Sequence, residues 1–447
     1  MSSLQLPQPV QTTSGVGRPK FGSEVIATTV CAAARPLYIL LAAPSLLYLA
    51  ALVIMLLRPP GVDFYHVDRI AFALLIFAVC LRALLLRQTL PWYGPISWAM
   101  FGLLILALAG TLSQPFDMLT WNVLSAKFLV PFILFHLAGL VFTEEDSCRG
   151  FEVFCLVTLA YLSFLAIAFL MGANALIFPR YILDESLGTH IHRARGPFLQ
   201  AVANGVTLNL LGLFALHAFD RGRLPKPVAL VLLGALPFAI LATMTRAVWL
   251  SFAGSILLAF FILGSARMRR ASGSVLVIGI AGVMIAFLSS PLRTALQDRF
   301  EAIGPVEIRI AVYRASWQMV QEKPWLGWGQ NHMATEMGDR LPDYKLDTFA
   351  AHNTYLEILV EHGLVGLALY ASIIVALLRL GSRKRKSYLR ADGVFNAQFR
   401  TLWPILLGVY LVNACFVVMN YQFVNALLFT MAGIFCAQDR QVSELNR

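Results

Sequence analysis

Charge is what this sequence has least of. Acidic and basic side chains fill 13% of its 447 positions, where a soluble domain carries about 25%. No long polar block is present that could fold by itself, which excludes a separate soluble domain. Cysteine is sparse. Cys31, Cys80, Cys148, Cys155, Cys415 and Cys436 show no CxxC spacing and lie in or beside apolar segments. They read as small buried hydrophobes rather than disulfides or metal ligands. There is no Asp-x-Asp pair, no visible tandem repeat and no evident cleavable leader. The first apolar run starts near Leu37, behind a polar tail, and continues as an ordinary span.

What is abundant is apolar sequence, 58% of residues. Runs long enough to cross roughly 30 Å of hydrocarbon recur along the whole chain. The expectation is an all-α, polytopic integral membrane protein. About twelve spans are expected, at 37–57, 68–86, 96–113, 122–142, 150–171, 198–218, 227–243, 247–265, 274–290, 363–380, 401–419 and 421–437. The pairs 227–243/247–265 and 401–419/421–437 are joined by very short turns, and either could be one broken helix. Residues 1–36 read as a flexible cytoplasmic tail, 37–437 as a single transmembrane domain and 438–447 as a second cytoplasmic tail.

The net charge of +11 does not call for nucleic acid. Basic residues in short loops orient membrane helices. Arg383 to Lys386, the group Arg221, Arg223 and Lys226, and the group Arg267, Arg269 and Arg270 are placed on the cytoplasmic side. Both termini are then inside, and 172–197, the turn at Thr245-Arg246 and the long loop 291–362 face outward together. That loop exceeds the usual connection length, so it is functional or disordered. Its aromatic residues Phe300, Tyr313, Trp317, Trp325, Trp328, Tyr344 and Phe349 argue for order. Val312 to Gln321 reads as an amphipathic helix lying on the bilayer, ended by Pro324, Gly327 and Gly329.

Polar residues gather in these outer segments. Arg246, between two apolar runs, would cost about 3 kcal/mol at mid-membrane on insertion scales. It is either an interfacial Arg with Trp249 as a belt residue or a cation facing an anionic ligand. Arg195 opens the sixth span, as an ordinary interfacial base or as charge for the same outer cavity. Arg309 and Arg314 flank a short apolar turn. They either touch lipid phosphates or form a guanidinium fork on a diphosphate. His352 heads a segment with Tyr355, Leu356 and Leu359 at helical spacing, with Asn353 as a cap. It is a structural helix-start residue or a general base whose pKa suits proton abstraction near neutrality. His190 and His192, near Asp184 and Glu185, have poor spacing for a metal. Several arginines with one histidine suit a transfer that needs no metal or other cofactor and expels a diphosphate. The arginines would offset charge on the departing phosphate, and the histidine would take a proton from an incoming hydroxyl.

These residues also fall in a recognisable order: Arg309…Tyr313…Pro324-Trp325-Leu326-Gly327-Trp328-Gly329…His352-Asn353-Thr354-Tyr355-Leu356…Gly363-Leu364-Val365-Gly366. Before them stand Arg195-Gly196-Pro197-Phe198…Asn204 and Thr245-Arg246-Ala247-Val248-Trp249-Leu250. The pattern resembles that of the O-antigen ligase and O-antigen polymerase (Wzy-like, WaaL-like) superfamily of bacterial membrane glycosyltransferases. Tyr313 stands where Trp is more usual, and Ala247-Val248 where Gly-Ala is. The resemblance implies a GT-C-like fold with a periplasmic catalytic loop carrying short helices, in the bacterial inner membrane. It implies inverting, metal-independent transfer of a glycan from a polyprenyl (undecaprenyl) diphosphate carrier. The acceptor would be a saccharide, either lipid A core or a growing O-antigen or exopolysaccharide. Carried over, His352 is the catalytic base, Arg246 and Arg309 bind the diphosphate with Arg195 in support, and Asn353, Tyr355, Tyr313, Gly327 and Gly329 shape the site; Arg314 remains a diphosphate candidate from its place beside Arg309 alone. The expected partners are the lipid-linked donor, the acceptor and membrane lipids, without nucleic acid. The alternative from another class is a secondary transporter or flippase for a polyanionic or glycolipid substrate, which would place its charges near mid-membrane.

Overall fold

Long apolar runs must satisfy their own backbone hydrogen bonds in lipid, and helices do this within one segment. The computed structural model describes residues 43–58, 67–288, 304–341, 351–382 and 393–445. Its helices are α1 (Pro44–Leu56), α2 (Val67–Leu85), α3 (Pro95–Leu112), α4 (Met118–Val141), α5 (Glu145–Leu170), α6 (Ala201–Asp220), α7 (Lys226–Ala242) and α8 (Arg246–Ile262). They continue with α9 (Ala266–Leu288), α10 (Gly304–Glu322), α11 (His332–Arg340), α12 (Thr354–Ser382), α13 (Ala397–Ala414) and α14 (Gln422–Leu445). Among the described residues, α3, α4, α5, α6, α9 and α12 are long and apolar enough to cross a membrane, and α1, α7 and α8 are shorter apolar helices.

Local chemistry sets the helix ends. Asp117 caps α4, accepting from the backbone N–H groups of Leu119 and Thr120 at 3.2 and 2.9 Å. Asn396 caps α13 in the same way. The chain from 227 to 265 makes two helices, not one broken one, separated by Thr243 to Thr245. At its centre stands α6, apolar on nearly all sides and buried along almost its whole length. It packs against α5, α7 and α13, while α4 pairs with α14 and α3 with α12.

Several expectations shift. The span expected at 363–380 belongs to a helix that begins at Thr354 and continues through a break at Gly363. The expected tail 438–447 is helical through Leu445, because α14 continues past 437. The helix expected to lie on the bilayer is α10. Its apolar face, Val312, Ala315, Met319 and Val320, is turned instead onto Met333 and Met337 of α11 and onto Ala351 and Val360. Cys148 and Cys155 are buried thiols, but Cys415 is exposed. Residues 1–42, Cys31 among them, lie outside the described residues, as do Phe300, Tyr344, Phe349 and the basic run Arg383 to Lys386.

The hydrogen bonds sort the helix ends into two sets. Asn204, near the start of α6, donates to Ala194 O, and Ala194 N–H donates to Ala242 O just before the α8 turn, each at 2.9 Å; Ser251 of α8 accepts from Asn413 at the end of α13 at 2.8 Å. Thr354 at the start of α12 donates to Val417 O, just beyond α13. Asn331, just before α11, donates to Thr120 at the start of α4. The starts of α4, α6, α8 and α12 and the end of α13 therefore share one end of the bundle.

Candidate active site

The two glycine-rich motifs turn out to be halves of one interlock. Gly363 takes φ +63°, which breaks the α12 ladder and leaves the Val360 and Glu361 carbonyls without their helical donors. The Pro324–Gly329 turn supplies replacements. Trp328 N–H donates to Val360 O and Gly329 N–H to Glu361 O, each at 2.9 Å. In return Leu364 N–H donates to Pro324 O at 2.8 Å and Val365 N–H to Trp325 O at 3.2 Å. No side chain fits at the crossing. A Cβ on Gly363 would lie 2.2 Å from Trp325 O, and one on Gly327 would lie 2.5 Å from Val360 O. Gly329, at φ +94°, passes close to the backbone of Gly110 on α3. Trp328 completes the turn, donating from its indole to Met319 O at 2.9 Å with Lys323 over its ring. Gly327 and Gly329 let the loop before α12 be stitched into that helix.

One end of that helix carries His352. Asn353 Oδ1 accepts from Tyr355 N–H and Leu356 N–H at 3.0 and 3.1 Å, so Asn353 is the cap. Tyr355 donates to Leu411 O at 3.0 Å, and Thr354 bridges to Val417 and Met419. His352 stands just outside this fixed start, exposed, with φ +47°. Backbone strain of this kind clusters at functional sites. Partial burial lowers the His352 pKa below its ordinary value of about 6.5, and the Arg309 guanidinium beside it lowers it further. The imidazole is thus held neutral at neutral pH.

Arg309, half-buried on α10, acts electrostatically on the His352 imidazole. Arg246 is the first residue of α8 and is exposed, following Met244 at φ +47°. It lies at the same bundle end as His352. Arg314 is exposed on the outward face of α10, roughly 140° around the helix from Arg309. Tyr313 is on that outward side too. Arg195 is placed differently. It is 1% exposed, and its guanidinium donates to backbone carbonyls: Ile182 at 3.1 Å, Leu187 at 2.5 Å and Asp184. This arginine holds the 182–187 loop. Ala194, the residue just before Arg195, meets the turn ahead of α8 through its N–H to Ala242 O.

Sequence reading missed a buried ionic cluster under the interlock. Lys127 of α4 contacts Glu357 at 2.5 Å and Glu361 at 3.6 Å, both on α12. Glu361 also accepts from Asn331 N–H at 2.8 Å, and His362 pairs with Gln330 at 3.1 Å. Lys127 sits in a π-turn, Ser125–Leu129, and Asn425 donates to the Ala126 carbonyl there. The signal was available. A lysine inside an apolar run, and two glutamates four apart on another, mark a functional or organising site in a membrane helix.

Helices that could cross a membrane, with a histidine and arginines at one end, define a membrane protein with a polar site at the bundle surface. The family model Wzy_C, O-antigen ligase, matches residues 228–371. The match covers less than half of the chain but includes Arg246, Arg309, both halves of the interlock and His352; Arg195 falls outside it. It supports an O-antigen ligase/polymerase-type family for this chain. No curated protein matches the chain.

Proposed function

We propose that the chain is an inverting, metal-independent glycosyltransferase of the inner membrane, acting at the periplasmic face. It moves a glycan from polyprenyl diphosphate to a saccharide acceptor, as ligase or polymerase in lipopolysaccharide or exopolysaccharide biosynthesis. The observation that carries this reading is the placement of His352 just ahead of the capped start of α12, within electrostatic reach of Arg309 and at the bundle end that also bears Arg246.

In this mechanism the neutral imidazole of His352 takes the proton of an acceptor hydroxyl. That oxygen attacks the anomeric carbon from the face opposite the diphosphate. The bond from the anomeric carbon to the phosphate oxygen breaks, its electron pair leaves with the lipid diphosphate, and the anomeric configuration inverts. Arg309 and Arg246 offset the negative charge that grows on the departing oxygen, where fixed guanidinium donors act without solvent reorganisation. The geometry gives Arg195 a different part, holding the loop behind the site.

The test is reconstitution of the purified protein with a polyprenyl-diphosphate oligosaccharide, with lipid A core in one vessel and more donor alone in another. Glycan on lipid A core identifies a ligase, and lengthened carrier-linked glycan identifies a polymerase. Turnover that His352→Ala leaves unchanged would refute the general base.

A further inference from the structure

The outward face of α10 is not what an amphipathic helix normally shows to water. Its apolar stripe is already spent on the protein interior. Yet Ile310, Tyr313 and Trp317 stand 47%, 37% and 56% exposed on the opposite side. With Arg314, Gln318 and Gln321 they line an open depression of about 590 Å³. Aromatic faces alternate there with planar amide and guanidinium groups.

The register of this face is informative. Arg309, Tyr313, Trp317 and Gln321 are spaced by four, so they form one row along the helix. The row starts at the arginine beside His352 and runs about 12 Å to Trp317. A membrane-seated helix would turn Val312, Ala315, Met319 and Val320 to lipid and keep charge on the other face. Here those residues are buried in protein. The open row instead suits a chain of sugar rings. Pyranose C–H faces pack on aromatic rings, while hydroxyls pair with amide and guanidinium groups.

We propose that Tyr313, Trp317, Gln318 and Gln321 form a saccharide track, which seats the acceptor glycan and leads its terminal hydroxyl to His352. The proposal rests on the glycosyl-transfer reading for its direction. Its chemistry, a neutral oligosaccharide lying along an aromatic row, comes from the face itself. Tyr313 and Trp317 set how the acceptor binds, and Arg309 marks where the track meets the reacting bond.

The experiment uses the full chain in nanodiscs and compares wild type with Trp317→Ala. The probe is core oligosaccharide freed of its lipid. Titrating it should change tryptophan emission in wild type and not in Trp317→Ala. In nanodiscs of brominated lipid the Trp317 contribution should stay unquenched, while that of Trp98, exposed on α3, should be quenched. In the turnover assay Trp317→Ala should raise the acceptor KM about tenfold, the loss of one stacking contact, with kcat little changed. A Trp317 contribution quenched by brominated lipid would make this face a membrane seat and overturn the track. So would an emission titration or an acceptor KM that Trp317→Ala leaves unaltered. A wild-type protein that binds the oligosaccharide but never turns over donor would instead strike at the glycosyl-transfer reading.

Discussion

Arginine is used in two ways in this helix bundle. At one end, where α5 and α13 begin and α6 and α14 finish, cations meet carboxylates inside the protein. Arg221 pairs with Glu152 at 2.6 Å and Arg400 with Asp439 at 2.8 Å, all nearly buried. Glu145 also accepts from Val394 N–H there. At the other end Arg58 pairs with Asp68 at 3.1 Å and Arg340 with Glu322 at 2.6 Å, but Arg309 and Arg314 make no ion pair with a carboxylate among the described residues, and Arg246 is exposed. Compensated charge ties helices together, because removing one partner strands the other away from water. Arg309 and Arg314, with no carboxylate partner among the described residues, keep their charge for something that arrives. The same residue type is thus mortar where a carboxylate meets it, as at Arg221, Arg400, Arg58 and Arg340, and a candidate ligand group at Arg309 and Arg314. Arg195 shows that position alone does not decide the role, since its donors are spent on carbonyls at the open end.

This contrast can be broken from either side. The largest effect is expected at His352. His352→Ala should lower turnover by about 10²- to 10⁴-fold, the usual range for a positioned general base. Its thermal stability should stay near that of wild type, because the helix cap is Asn353. Glycan release measured alongside a melting curve checks both. At the compensated end Arg221→Met should do the reverse. It strands Glu152, costs about 3 kcal/mol of stability and leaves turnover per folded molecule intact; a melting curve and a titration of active protein test it.

Gly363→Ala should fall between these two cases. The new Cβ collides with Trp325 O, and the backbone stays at positive φ, so a loss of about 2–4 kcal/mol is expected. Since the interlock carries the outer loop, turnover should fall with it, and proteolysis between α11 and α12 should quicken. The smallest effect is on pH dependence. His352 must be neutral to act, and its pKa is lowered, so activity should be lost as pH falls through a value below about 6.5. Arg309→Gln removes one of the groups that lower it. Besides slowing turnover, it should move that acidic limb upward. A pH–rate profile of the two proteins measures the shift.

Much of this was legible in the sequence, for identifiable reasons. Helix positions follow from apolar runs, and the Asn353 cap from an Asn ahead of a helical pattern. His352 and the arginines stand out because a polar residue is conspicuous in so apolar a chain. What stayed hidden depended on contacts between distant segments. Lys127 and Glu357 are 230 residues apart, and nothing local links them. Gly363 reads as the start of a span, because the turn that completes its broken ladder lies in the preceding loop. Tyr313 and Trp317 were counted as signs of order, but their outward direction depends on which face of α10 the interior takes.

The most direct test sets the two ends against each other in one preparation. Release of polyprenyl diphosphate would be measured per folded molecule for wild type, His352→Ala and Arg221→Met in matched proteoliposomes. The account predicts a folded but nearly inactive His352→Ala, and an Arg221→Met that melts early yet turns over at the wild-type rate. Normal release from His352→Ala, with release lost from folded Arg221→Met, would contradict it and move the chemistry to the other end of the bundle.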